Sequence, residues 1–570
     1  MEKWVVTAKR ADFQAIAKNF GIDQVTARLI RNRNVIGDEA IRTYLYGSRK
    51  DMLSPWLLKD MECVVGILTQ KIREHKKIRI IGDYDIDGVM STYILLKGLE
   101  GAGACVDHVI PNRMTDGYGI NEHLIEQAYE AQVDTIITCD NGIAAASQIQ
   151  RAKDLGMTVL VTDHHEVPFE DTELGRIEIL PPADGIVNPK QKECGYPFAG
   201  LCGAGVAMKV MEALYQRVQP ETDIVDQMLE YAAIATIGDV MDLVEENRII
   251  VKEGLKRLHR TENPGLQELI RVNNLEPENI SPYHIGFVLG PCLNASGRLD
   301  TARRALNLLC SQDKEEAARL AGDLKHLNES RKEMTAQGVE QAVQLVESTS
   351  LKNDSVLVVY LPECHESLAG IIAGRIRERY HKPSFVLTRG EEGVKGSGRS
   401  TESYSMYEKL CECREYLTKF GGHPMAAGLS LTEENVEPFR RKLNELSGLG
   451  PDDFIEKVSI DVPMPIHYIR KDLIQEMKIL EPFGKGNERP VFAQKGLRVM
   501  RSRVLGANRN VVKMTLADEA GYTMEAVYFG DGDLFQQEIR EKERISVVYY
   551  PEIDTYMGRE KLQIVIRHYQ

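Results

Sequence analysis

The chain has 570 residues, 43% hydrophobic and 27% charged, with a formal net charge of −14. That length is too great for one core and predicts three or four domains of ordinary globular composition. The negative balance argues against a surface coated in basic residues, although not against a local basic groove. Ten cysteines occur with no Cys-x-x-Cys pair, and Cys411 and Cys413 stand at the wrong spacing for a zinc knuckle. Scattered thiols fit a reducing compartment. The opening MEKWVVTAKR lacks the apolar core of a signal peptide, and there is no run of 18 apolar residues. The expectation is a cytoplasmic protein that does not use a membrane.

Residues 1–50 read as a helical lead-in. Phe13, Ile16, Ala17 and Phe20 fall at helical spacing, and Ile36-Gly-Asp-Glu39 resembles a helix start. Their expected role is packing. Residues 51–270 alternate strand and helix, the pattern of an α/β domain with a mostly parallel sheet. A short apolar strand, Ile78–Ile81, stops at Gly82. Asp83, Asp85 and Asp87 follow at alternate positions, and Gly88 turns the chain into an apolar helix predicted over Val89–Leu99. Three carboxylates this close repel one another, and hydrophobic flanks worsen the repulsion. Hard oxygen ligands of this kind select Mg²⁺, Mn²⁺ or Ca²⁺. A calcium-binding EF-hand loop needs an acid at its twelfth position, where Ile94 stands, and no helix leads in. A merely solvated acidic turn is disfavoured by the apolar strand before it and the apolar helix after it.

The strand Val133–Cys139 ends in Asp140-Asn-Gly142. The strand Met157–Thr162 ends in Asp163-His-His165, and a helical stretch, Met228–Ile237, ends at Gly238-Asp239. Parallel sheets bind ligands at the carboxyl ends of their strands. Asp83, Asp85, Asp87, Asp140, His164, His165 and Asp239 are therefore expected to converge in one crevice. Singly, Asp140 reads as a helix cap, a His-His pair as solvated or core, and Asp239 as nothing in particular. Their concurrence outweighs those readings. The set is too large for one ion and suits two, and imidazole beside carboxylate leans toward Mn²⁺. Two ions a few ångströms apart predict metal-assisted hydrolysis of a phosphoester or phosphoanhydride.

Residues 271–348 read as a helical connector. Gly290–Asp300, with Arg298, Arg303 and Arg304, is either a plain turn with a solvated basic helix start or a phosphate-contacting loop. Lys314–Ser348 reads as one or two long helices. Residues 349–450 form a smaller α/β domain. It has a strand over Asp354–Tyr360 and a helix over His365–Tyr380, whose Arg375 and Arg379 share a face. The basic run there is either a solvated face or a nucleic-acid contact. Val394–Ser400 and Phe420–Gly428 are glycine-rich, which lets backbone N–H groups approach phosphate. Residues 451–570 hold five short strands, the pattern of an OB-like β-barrel that binds single strands. Tyr528, Phe529, Tyr549 and Tyr550 are candidates for base stacking, against the commoner role of core aromatics.

Gly82–Gly88, Cys139–Gly142, Asp163–His165 and Thr236–Leu243 with Asn247-Arg248 resemble motifs I to IV of the DHH phosphoesterase superfamily. Gly396-Ser-Gly-Arg-Ser400 and Gly421-Gly-His-Pro-Met-Ala-Ala-Gly428 resemble the two motifs of the DHHA1 domain, with Gly398 where Ala is commoner. Glu481–Asn487 resembles the entry to the barrel in the RecJ family of nucleases, and the order of domains is that family's. The resemblance implies a single-strand-specific 5′→3′ DNA exonuclease releasing 5′ mononucleotides in repair and recombination. It implies two divalent ions, Mn²⁺ or Mg²⁺, with Asp83, Asp85 and Asp239 on one, Asp87 and His164 on the other, and Asp140 bridging. His165 would face the scissile phosphate, making Asp140, His164 and His165 the catalytic set. Ser397, Arg399, Gly422 and His423 would bind substrate beside Arg298 and Arg375. A helicase and a single-strand-binding protein are the partners such an enzyme implies. The alternatives are a DHH/DHHA1 phosphodiesterase on cyclic dinucleotides, nano-RNA or pyrophosphate, and an inactive replication scaffold. The first expects a shorter chain without the barrel, and the second expects lost ligands.

Overall fold

Isoleucine- and valine-rich runs build the first sheet. Its strands lie in the order Cys105–Val109, Lys77–Ile81, Thr135–Cys139, Thr158–Thr162 and Gly185–Val187, all parallel. The computed structural model describes residues 2–113, 116–117, 119–172, 175–390, 393–540, 542–556 and 559–570. Ile78, Ile80, Ile137 and Leu160 point into one apolar core, with the helices Met61–Arg73, Ile86–Gly101, Gly203–Val218 and Met228–Gly238. Ile81, Ile136, Val159 and Val161 point into a second, with the helices Glu122–Glu130 and Ala146–Asp154. Burial on both faces is why these strands read as continuous apolar runs.

Two local expectations change around the acidic edge. The helix predicted from Val89 starts at Ile86, because the Asp85 carboxylate accepts the backbone N–H groups of Asp87 and Gly88 and caps it. The last acid of the cluster therefore lies in the first turn of a helix. The stretch expected as a turn or loop around Gly290–Asp300 is instead helical. Pro282–His284 leads into a wider π-helical turn, Ile285–Leu289, and then the α-helix Gly290–Leu299. Its small residues mark close approach: a Cβ on Gly297 would lie 2.3 Å from the Tyr84 carbonyl oxygen.

Lys314–Ser348 is one 35-residue helix, about 50 Å long at 1.5 Å per residue. Ala317, Leu320, Ala321 and Leu324 pack into the first core, while Ala342 and Val346 pack under the next sheet. That sheet runs Lys419–His423, Ala426–Leu431, Gly393–Arg399, Ser384–Gly390 and Leu357–Tyr360. The last pair is parallel and the other pairings are antiparallel. The final sheet has six strands, and Phe492–Leu505 also pairs with Ile545–Tyr556, closing it into a barrel. Parallel α/β unit, long helix, smaller α/β unit and OB-like barrel thus follow in the expected order.

The N-terminal segment begins with a strand where only helices were expected. Glu2–Val6 pairs in parallel with Glu456–Ile460. Leu29, Ile30, Ile41, Tyr44 and Leu45 from the first helices fill the same core as Phe492, Val512 and Ile564 of the barrel. Among the described residues no helix is long and apolar enough to cross a membrane.

Candidate active site

Three neighbouring strands end at one edge of the parallel sheet, and each carries acids or histidines past its last residue. Asp140 follows Cys139 in the left-handed region, with φ of 60°, a conformation costing a non-glycine residue on the order of 1 kcal/mol. Its N–H donates to the Thr162 carbonyl at 3.1 Å. Asp83, Asp85 and Asp140 offer ligand atoms within 4.8 Å of one another, as do Asp87, His164 and Asp239. Asp140 also groups with His164 and His165. His164 Nε2 stands 3.0 Å from Asp140 Oδ1, 3.5 Å from Asp87 Oδ2 and 3.8 Å from Asp239 Oδ2. Asp239 groups with Asp87 and His164 and also feels the charge of Asp85. The helix Met228–Gly238 packs its last glycine against Ile86, so Asp239 arrives next to Asp87.

Backbone groups support the cluster. Asp87 Oδ2 and Oδ1 accept the N–H groups of Gly203 and Ala204, at 2.7 and 2.8 Å. These are the first turn of a helix, whose positive end favours a carboxylate. Gly203 is confined by its neighbours, since a Cβ there would lie 2.7 Å from Asp140 Cβ. Asn294 Oδ1 accepts the Ile86 N–H at 2.8 Å. Asp163 lies outside the expected site residues, although it heads the Asp-His-His motif. Its carboxylate accepts the N–H groups of Ile143, His164 and His165 and pairs with His165 Nδ1 at 2.8 Å. It thereby fixes the ring of His165, which is partly exposed toward the crevice.

The electrostatics describe acids in need of a cation. Burial, followed by repulsion from Asp85, pushes the Asp83 carboxyl up to about 8. Burial and Asp87 raise Asp239 to about 8 as well. Asp87 and Asp140 are also raised, first by burial. Burial lowers His164. For His165 burial opposes the charge, but the bond to Asp163 prevails and raises it to about 9. Asp83 Oδ2 and His164 Nδ1 are buried with no hydrogen-bond partner among the described residues. Carboxylates in mutual repulsion, with an imidazole among them, fit divalent ions of the Mg²⁺ and Mn²⁺ type.

The smaller α/β unit meets the catalytic unit near this edge, where Arg113 lies 4.9 Å over the Tyr84 ring and also lines a cavity of the smaller unit. Register places Ser397 beside Gly428, itself beside Gly421, and Arg399 beside Ala426, itself beside His423. The two glycine-rich motifs are thus adjacent strands of one sheet, on which small residues leave space. The helix Ala369–Tyr380 crosses this face at Gly370, where a Cβ would meet Arg399 Nη2 at 2.9 Å. A cavity of about 460 Å³ is lined by Ser397, Lys395, Lys419, Ser430 and Thr388, and by Arg113 from the first unit. Arg298 Nη1 donates to the Ser367 carbonyl at 2.9 Å, bridging the two units. Burial and the nearby guanidinium groups of Arg113 and Arg331 draw Arg298 down to about 10. Gly422 and His423 are exposed at the end of their strand. Arg375 is exposed and pairs with Glu378 at 3.1 Å. Arg304, weighed as a phosphate contact, is paired instead with Asp300 at 2.5 Å and Asp323 at 3.3 Å. Arg113 and Lys419 carried no motif to single them out, and Lys395, inside the first glycine-rich motif, is paired with Glu366 at 3.0 Å.

Of the four barrel aromatics considered for stacking, Tyr549 is fully buried, and its hydroxyl donates to the Met464 carbonyl. Tyr528 stacks on Phe535 at 4.8 Å. Phe529 is exposed, and Tyr550 lies 4.7 Å under the Arg489 guanidinium.

Residues 77–236 match the DHH family, N-terminal domain; residues 353–448 match the DHHA1 domain; residues 460–568 match the RecJ OB domain. The single-stranded-DNA-specific exonuclease RecJ of Bacillus subtilis is 36% identical over 99% of this chain and 70% of its own length. That of Escherichia coli is 33% identical over 91% of this chain and 92% of its own. The crystal structure of Thermus thermophilus RecJ with Mn²⁺ superposes with a TM-score of 0.85 at 26% identity, covering 100% of this chain and 79% of that one. The Mg²⁺ complex of that protein gives 0.78 at 25% identity, over 100% and 78% of the two chains. A chain with these three domains in this order, and identity to RecJ proteins along almost its whole length, belongs to the RecJ family of single-stranded-DNA-specific exonucleases.

Proposed function

We propose that the chain hydrolyses single-stranded DNA from its 5′ end, releasing 5′ mononucleotides, with two divalent ions, Mn²⁺ or Mg²⁺. The observation that supports this most is the carboxylate–imidazole cluster at one sheet edge, with Arg113 over the Tyr84 ring beside it and also lining a cavity with Ser397, Lys419 and the Lys395–Glu366 ion pair. Asp83, Asp85 and Asp140 would hold one ion; Asp87, Asp140, His164 and Asp239 would hold the other. When bound, the ions neutralise the acids, polarise a phosphodiester and acidify a water for attack. His165, steadied by Asp163, directs an N–H toward the phosphate. Ser397, Arg399, Arg298 and the exposed strand end at Gly422 and His423 grip the phosphates, and Arg375 supplies a charge at the rim. The 5′→3′ direction is what membership of the RecJ family implies. The barrel holds the strand further out. Work in DNA repair and recombination, in the cytoplasm, beside a helicase and a single-strand-binding protein completes the reading.

One oligonucleotide labelled at its 5′ end, single-stranded and then duplexed, tests it with Mn²⁺, with Mg²⁺ and with EDTA. The expected result is labelled mononucleotide from the single strand only, abolished by EDTA and by Asp140→Ala. Equal cleavage of the duplex, or cleavage of dinucleotides alone, would overturn it.

A further inference from the structure

Asn247 is fully buried in the first turn of the helix Glu245–Leu258. Its amide Nδ2 donates to two backbone carbonyls, Gly200 at 2.7 Å and Asp242 at 3.1 Å. A buried asparagine that spends both amide hydrogens on two separate segments fixes the distance between them.

Each of those segments controls a carboxylate of the acidic edge. Three residues after Gly200, Gly203 begins the helix whose first N–H groups hold Asp87. Three residues before Asp242 stands Asp239. The chain between them is tightly folded: the Met241 N–H returns to the Thr236 carbonyl at 3.0 Å, and Val240 takes a left-handed φ of 56°. A shift of Asp242 therefore passes to Asp239 through a short, constrained arm. Cys202 Sγ also lies 3.5 Å from Thr236 Oγ1, so the two segments touch as well as share a clamp. Asp87 and Asp239 belong to one ligand group with His164.

The clamp is itself anchored. Its neighbour Glu246 is buried, accepts the Leu53 N–H at 3.0 Å and the Tyr196 hydroxyl, and pairs with the fully buried Lys209 Nζ at 2.7 Å. Lys209 lies on the helix that Gly203 begins. An ion pair closed off from water is costly to break, so the two helices keep one register.

We infer that Asn247 is a positioning residue for the divalent ion held by Asp87, His164 and Asp239: it sets the separation of the two carboxylates while its own amide is spent on backbone. The inference rests on the two-ion reading above. The group of Asp83, Asp85 and Asp140 contains neither Asp87 nor Asp239, so loss of the clamp falls on one ion.

The test is Mn²⁺ titration of the full chain by calorimetry, with electron paramagnetic resonance of the bound ions. Asn247→Leu keeps roughly the side-chain volume and removes both donors. It is expected to weaken one Mn²⁺ by about tenfold or more, the range for groups that orient metal ligands, and to leave the other within about twofold. The spin-coupled signal of paired ions should fade at Mn²⁺ levels that saturate the wild type. Cleavage should fall through kcat and recover as Mn²⁺ is raised, with KM for the strand unchanged. Asn263→Ala is the control. That asparagine is buried in the same unit and donates to the Leu309 carbonyl and the Tyr93 hydroxyl. Its loss should lower the melting temperature and leave both ions bound as in the wild type. Should Asn247→Leu not fold, Asn247→Ser is expected to show the same pattern at reduced size. Wild-type Mn²⁺ affinity in a folded Asn247 variant would overturn the inference. So would equal weakening in the Asn247 and Asn263 variants, which marks lost stability alone. A wild type that takes up a single ion would count against the two-ion reading, and the comparison of the two asparagine variants would still decide the role of Asn247.

Discussion

Asp163 and His165 show how much of this centre depends on single hydrogen bonds. The ring is one side chain from the ligand cluster, and the Asp163 carboxylate holds it at 2.8 Å. Partners of this kind typically carry 10- to 100-fold in activity or metal affinity. Asp163→Asn should therefore lower kcat by about that factor and also lower the melting temperature, because its NH2 would face a buried backbone N–H that the carboxylate now accepts, a cost of about 1–3 kcal/mol, measured by steady-state cleavage and calorimetry. Asp140 makes the converse case. Its carboxylate is buried among others that repel it, so removing its charge relieves the metal-free fold. Asp140→Asn should raise the melting temperature in EDTA and abolish cleavage in Mn²⁺. Mn²⁺ should stabilise the wild type, by about 2.7 kcal/mol when present at 100 times its Kd, and the variant far less. All seven residues that cluster here were singled out in the sequence, because acids and histidines at strand ends stand out against apolar runs. Asp163 was visible as a motif letter but not as a positioning group, because its bonds run to backbone N–H groups.

At the scale of elements, one helix start and one helical rod decide the geometry. The first turn of Gly203–Val218 delivers two N–H groups to Asp87 while its glycine passes Asp140. Gly203→Ala would place a methyl group 2.7 Å from Asp140 Cβ, closer than backbone relaxation absorbs without moving a ligand. The expected outcome is a fall of tenfold or more in kcat and weaker Mn²⁺ binding, read by titration calorimetry, with little change in single-strand affinity in EDTA. Nothing in Cys202-Gly-Ala-Gly205 announces this duty, since a small-residue helix start is also ordinary packing. The stretch Gly290–Asp300 was read as a turn or loop for a related reason: glycine, proline and serine break helices in solution. Here they let a helix approach Tyr84 and Ile86 closely.

At the scale of the whole molecule, Arg248 ties the catalytic unit to the barrel. Its buried guanidinium donates to the carbonyls of Tyr44, Ile479, Leu480 and Glu481 and lies 4.1 Å over the Tyr44 ring. Asn487 binds the Leu480 and Pro482 carbonyls and accepts from Tyr44 and Arg33. Arg248→Met leaves several buried acceptors without donors, a loss on the order of 3–5 kcal/mol. The variant should melt earlier and be cut by protease near residues 479–487, whereas single-turnover cleavage by the remaining folded protein should persist. The Asn247-Arg248 pair looked like part of the metal motif; its arginine proves to be a joint between domains.

The kind of chemistry and the series of folds were already legible in the chain. Both are written in local patterns: apolar runs that end in acids, glycine-rich strands, a 35-residue helix and a tail of short strands. Tertiary structure alone decided which acid stands beside which, that Tyr549 is core, that the first strand pairs with Glu456–Ile460, and that Arg248 joins domains. Those outcomes depend on contacts between residues tens to hundreds of positions apart. Side-chain packing sets such contacts, and no local pattern encodes them.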